Sequence, residues 1–171
     1  MSHDIISTAQ KRPTSDTSEF LIVGIGASAG GLSALEEFFR SVSADTPAAF
    51  VVVQHLSPDH KSLMDELLKR CTTIPLCYAT DGLRVESNHV YLLPPGKEII
   101  LSGGLLLLTD KPRGGVLSLP IDHFFRSLAG DAGPRAVGIV LSGNGSDGSR
   151  GLQQIHTAGG LVISQSLPTS K

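Results

Sequence analysis

Seven short, mainly apolar stretches stand between polar or glycine-rich breaks. The first, Phe20-Leu-Ile-Val-Gly-Ile, reads as a parallel strand covered on both faces. Gly26-Ala-Ser-Ala-Gly-Gly31 breaks it. Leu32, Leu35, Phe38 and Phe39 then recur at helical spacing and predict a helix from about Gly30 to Ser41. Ala48–Val53 is a second buried strand, ending at Gln54 and His55. Ser57-Pro-Asp marks a helix start, and Leu63, Met64, Leu67 and Leu68 carry that helix to about Arg70. Strand, helix, strand, helix with short connections favours a parallel sheet.

The middle of the chain changes rhythm. Val90–Leu93, Glu98–Leu101 and Leu105–Thr109 predict three short strands, the last two joined by Gly103-Gly104 as a hairpin, and together they read as an antiparallel insertion. The α/β rhythm then returns. A helix is expected from Pro120 to Leu128, with Ile121, Phe124, Phe125 and Leu128 on one face. Ala136–Leu141 is a strand, Ser149–Ala158 a helix and Leu161–Ile163 a strand. The fold class is therefore α/β: a doubly wound three-layer sandwich with a mainly parallel sheet and a small hairpin insertion. Residues 1–19 are polar and rich in Ser and Thr and read as a disordered tail. The domain is placed at 20–171.

Composition narrows the class. The 171 residues are 40% hydrophobic and 18% charged, with a net charge of −2. That near-balance gives no electrostatic reason to expect nucleic acid. No run reaches the roughly 18 apolar residues that span a bilayer, and the N-terminus lacks a signal-peptide core, so a cytoplasmic location is expected. Cys71 and Cys77 cannot build a disulfide framework or a four-ligand zinc site, and both read as core or boundary residues. None of the six histidines pairs with another at metal-ligand spacing, so no metal and no cofactor are expected.

Three polar residues directly follow predicted strands, where open parallel sheets bind ligands. Ser28 lies in Gly26-Ala-Ser-Ala-Gly30, which fits the G-x-S-x-G nucleophile elbow or a turn of small residues chosen for packing. Gly24-x-Gly26-x-x-Ala29 also fits a dinucleotide fingerprint, but that fold needs an acid at the end of the second strand; Asp45 precedes it. His55 is a general base or a structural hydrogen-bonder. Asp147, in the loop Leu141-Ser-Gly-Asn-Gly-Ser-Asp-Gly148, is either an acceptor for His55 or the N-cap of the Ser149 helix. Lys111, Arg113 and Arg126 read as solvated charges.

Taken together, Val23–Gly31, Val53-Gln-His-Leu56, Leu83-Arg-Val-Glu with Val90–Pro95, Ile121–Ala129 and Leu141–Gly148 resemble the CheB-type protein-glutamate methylesterase domain of chemotaxis, in the family's order. The wording is most similar to CheB domains of CheB–CheR fusion proteins. The resemblance implies a Ser–His–Asp triad of Ser28, His55 and Asp147, with backbone amides of Asn144 and Ala29 holding the oxyanion. It implies removal of methyl groups from glutamate γ-methyl esters on the cytoplasmic helices of chemoreceptors, and deamidation of glutamine. CheR-type methyltransferase and sensor domains are implied as neighbours in the parent chain. Asn144 stands where methionine is usual, and Ala29 replaces a threonine often found beside the nucleophile. The family domain continues beyond the position of Lys171, so an incomplete domain is expected. The rival expectations are a non-catalytic signalling module and a dinucleotide-binding domain.

Overall fold

The computed structural model describes residues 20–27, 31–54, 63–112, 118–141 and 146–165. The tail 1–19 and the Ser57 helix start lie outside them.

Six strands form one all-parallel sheet. In chain order they are β1 (Leu21–Ala27), β2 (Ala48–Gln54), β3 (Leu76–Tyr78), β5 (His89–Leu92), β8 (Ala136–Val140) and β9 (Leu161–Ser164), arranged β3-β5-β2-β1-β8-β9. A second sheet is antiparallel: β4 (Leu83–Arg84), β7 (Leu105–Asp110) and β6 (Lys97–Ser102), in the order β4-β7-β6. Four α-helices, α1 (Leu32–Ser41), α2 (Met64–Lys69), α3 (Pro120–Ala132) and α4 (Ser149–Thr157), and one turn of 3-10 helix at Gly133–Arg135 complete the described elements.

Side chains alternate across each central strand, and both faces are buried. Val51 and Val53 of β2 join one core with Ile121, Phe124, Phe125 and Leu128 of α3 and Ile155 of α4. Phe50 and Val52 join the other, with Leu35 and Phe39 of α1 and Leu68 of α2. Phe38, Phe39 and Phe50 meet edge to face with ring centroids 5.2–6.1 Å apart, the arrangement that ring quadrupoles favour. The small sheet closes the α3 side, contributing Ile99, Leu101 and Leu106 to that core.

The parallel sheet, the hairpin and helices α1, α3 and α4 match the sequence expectation, with four differences. The helix expected to run from Ser57 to about Arg70 is not continuous through Leu63: α2 begins at Met64, with Leu63 as its N-cap. The Val90 strand does not belong to the antiparallel insertion; β5 pairs parallel with both β2 and β3. Strands β3 and β4 are too short, at three and two residues, to give a periodic signal. Cys77 is exposed on the edge strand β3 rather than sheltered. The Gly103-Gly104 turn is as expected, both residues at positive φ (58° and 72°), where glycine alone is unstrained.

Candidate active site

The candidate residues follow the ends of strands at the carboxyl edge of the sheet. Ala27 and Gln54 are the last residues of β1 and β2 and are partners in the parallel register. The next residues are Ser28 and His55. Those two, with Ala29 and Asn144, lie outside the described residues; Asp147 lies within them.

Asp147 does not cap the helix that follows it. The N-cap of α4 is Gly148, with no side-chain capping bond. Instead the Asp147 carboxylate reaches the first turn of α3. The Ile121 amide donates to its Oδ2 at 3.1 Å and the Asp122 amide to its Oδ1 at 2.9 Å. Amides in a helix's first turn have no partner within the helix. An anion there also gains about 0.3–1 kcal/mol from the helix dipole. Both oxygens are thereby fixed in direction on the edge between β1, β8 and α3.

Ile121 ties that acid to β1. A Cβ on Gly26 would lie 2.5 Å from Ile121 Cγ2, and one on Gly24 would lie 2.9 Å from Leu128 Cδ2 and Phe125 Cε1. The G-x-G of the dinucleotide fingerprint is thus explained by close packing of α3 on the sheet. The acid that fingerprint needs is missing from the end of β2, where Gln54 stands, and Asp45 is exposed before the strand. This packing accounts for the two glycines without a dinucleotide.

Beside Asp147 is a residue that the sequence pattern does not single out. Asp122 is 3% exposed, and its Oδ1 accepts from the Gly151 amide of α4 at 2.7 Å. Its signal is an acid set among Ile121, Phe124 and Phe125 at the third position of a helix. A shallow cavity next to this edge is lined by Gln54, Pro94, Glu98, Lys111, Ser118 and Pro120. Within it Ser118 Oγ donates to Glu98, whose other oxygen is 3.5 Å from His123 Nδ1. Arg126 is exposed on α3, as a solvated charge should be, and Arg113 lies outside the described residues. Among the described residues, no cluster of three or more His, Cys, Asp or Glu is arranged to hold a metal ion, and no helix is long and apolar enough to cross a membrane.

A doubly wound sheet with an acid pinned at its carboxyl edge, where two central strands end in register, defines the class: an α/β domain whose site is assembled from strand-end loops. The CheB methylesterase family model matches residues 23–171, and the chain belongs to that family. It is 40% identical over 158 residues to protein-glutamate methylesterase/protein-glutamine glutaminase 1 of Bordetella avium, covering 92% of this chain and 46% of that protein. The same-named protein of Xanthomonas euvesicatoria is 37% identical over 148 residues, covering 84% of this chain and 41% of that one. An uncharacterized 104.1 kDa protein of Rhodobacter capsulatus is 47% identical over 102 residues, which are 60% of this chain and 11% of that protein. The chain therefore spans less than half the length of these curated relatives. The Thermotoga maritima CheB methylesterase catalytic domain superposes with a TM-score of 0.77 at 26% identity, covering 88% of this chain and 82% of that one.

Proposed function

We propose that this domain, in its parent protein, hydrolyses glutamate γ-methyl esters on the cytoplasmic helices of chemoreceptors, and deamidates glutamine by the same route. Ser28 Oγ attacks the ester carbonyl while His55 takes its proton. The tetrahedral oxyanion is held by the amides of Asn144 and Ala29. His55 returns the proton to the departing methoxide, which leaves as methanol. Water then attacks the acyl-serine with His55 as base, releasing the free γ-carboxylate and restoring Ser28. Asp147 orients the imidazole and stabilises its charged form. The relatives' names supply the reaction class, and the substrate puts the working site in the cytoplasm. The likeness to a segment of a 104.1 kDa protein supports a long parent chain, and CheR-type and sensor domains beside this one remain part of the proposal.

The observation that carries this reading is the Asp147 carboxylate. It is held off its own helix by two amides of α3, at the edge where β1 and β2 lead in register to Ser28 and His55. An acid serving only as a local cap would bond the first turn of α4. The test is methanol release from a methylated receptor by the parent protein. Ser28→Ala is expected to slow it by about a thousandfold or more, as for triad serines elsewhere. Release at the parental rate by that variant contradicts the assignment. A folded parent that releases none is the result for a non-catalytic signalling module, the reading that the alanine at position 29 favours.

A further inference from the structure

We infer that Asp122 is a positioning residue that holds Asp147 in its working orientation, through a closed ring of hydrogen bonds between two helix N-termini. The inference rests on the esterase reading and extends its machinery by one residue.

Asp122 is the one buried acid among the described residues, at 3% exposure. Burying a carboxylate is costly unless charge-assisted bonds offset the lost hydration. Its partner is the Gly151 amide, in the first turn of α4. Its own backbone amide donates to Asp147 Oδ1. Gly151 lies four residues after Asp147, so the circuit runs from the Asp147 carboxylate to the Asp122 amide, along that residue to its carboxylate, across to Gly151 and back along the chain. Asp147, just before α4, thus caps α3, and Asp122 of α3 caps α4.

The ring lacks slack. A Cβ on Gly151 would lie 2.4 Å from Phe125 Cβ and 3.3 Å from Asp122 Cα, so the helices touch backbone to side-chain root. A Cβ on Gly148 would lie 2.9 Å from Ile121 Cγ2. Asp147 is therefore gripped at its carboxylate by α3 and through its backbone by Gly148 and Gly151. Helix capping needs only one acceptor in each first turn, and Ser, Thr or Asn at the local N-cap is the usual device. This crossed capping does something further: it fixes the separation between α3 and the loop that carries Asp147. Loss of Asp122 frees the α4 side of this grip and lets the Asp147 carboxylate swing relative to His55. The residue touches no reacting atom, and its effect passes entirely through Asp147.

The test uses the full-length parent, with active sites counted by a serine-reactive phosphonate and methanol release followed against methylated receptor. Asp122→Ala is expected to lower kcat per titrated site by about 10- to 100-fold, the scale of an ångström-sized misplacement, with KM within about twofold of the parent. Asp122→Asn keeps an oxygen for Gly151 and is expected to return kcat to within about threefold. Should the alanine variant fail to fold, Asp122→Leu fills the volume without an acceptor and carries the same expectation. Parental kcat per site in the alanine or leucine variant overturns the inference. So does an asparagine variant as slow as the alanine one, and so does a loss confined to the number of titrated sites. A parent that releases no methanol overturns the esterase reading, and the inference with it. An active parent with an indifferent Asp122 overturns the inference alone.

Discussion

At the scale of single residues, the site depends on where acids and glycines fall relative to helix starts. Asp147 is open to two readings from sequence, because aspartate is a preferred capping residue and this one stands close to a helix start. The choice was made by a partner 25 residues away in the chain, the Asp122 amide, which no local pattern encodes. Gly151 shows the same limit. In sequence it is a mildly unfavourable residue inside a helix, while in the fold it is the contact point of α3 and α4. Gly151→Ala would gain about 1 kcal/mol of helix propensity. The 2.4 Å approach to Phe125 Cβ puts its cost at the upper end of the about 1–3 kcal/mol typical of overpacking. A net loss of stability is expected from the urea midpoint; an unchanged or raised midpoint contradicts the close contact.

At the scale of elements, hydrophobic pattern located the long helices and the central strands, because each buries a periodic face or a continuous run. It failed where an element is held by its neighbours alone. β3 and β4 exist through ladders with β5 and β7, and β5 joins the parallel sheet because β2 offers it an edge. The hairpin of β6 and β7 is a case where local chemistry and tertiary contact agree. Its glycine turn is fastened to the last turn of α3 by Asp131, whose two oxygens accept from the Gly103 and Gly104 amides at 2.5 and 3.0 Å. Asp131→Ala is expected to cost about 1–3 kcal/mol, discounted toward the low end because one of the two bonds is exposed. Asp131→Asn, with a single acceptor oxygen, should recover part of it. Thermal unfolding of the three proteins checks this order, and an alanine variant as stable as the parent contradicts it.

At the scale of the whole molecule, a parallel sheet gathers distant segments at one edge. Ser28, His55 and Asp147 are 27 and 92 residues apart in sequence. Each follows one of three adjacent central strands in the chain, directly after β1 and β2 and seven residues after the end of β8. Family membership was legible in the ordered blocks that surround these residues, and the family model's match over 23–171 bears it out. What was not legible is the support behind the site. The crossed capping of α3 and α4 needs both helices packed on the same face of the sheet before either acid has a partner.

The most direct test is an experimental structure of the parent protein after reaction with a serine-reactive phosphonate. The account predicts phosphorus bonded to Ser28 Oγ, with one His55 nitrogen facing the adduct and the other about 2.6–3.2 Å from an Asp147 oxygen. An adduct on any other residue contradicts it, as does a His55 ring directed away from Asp147.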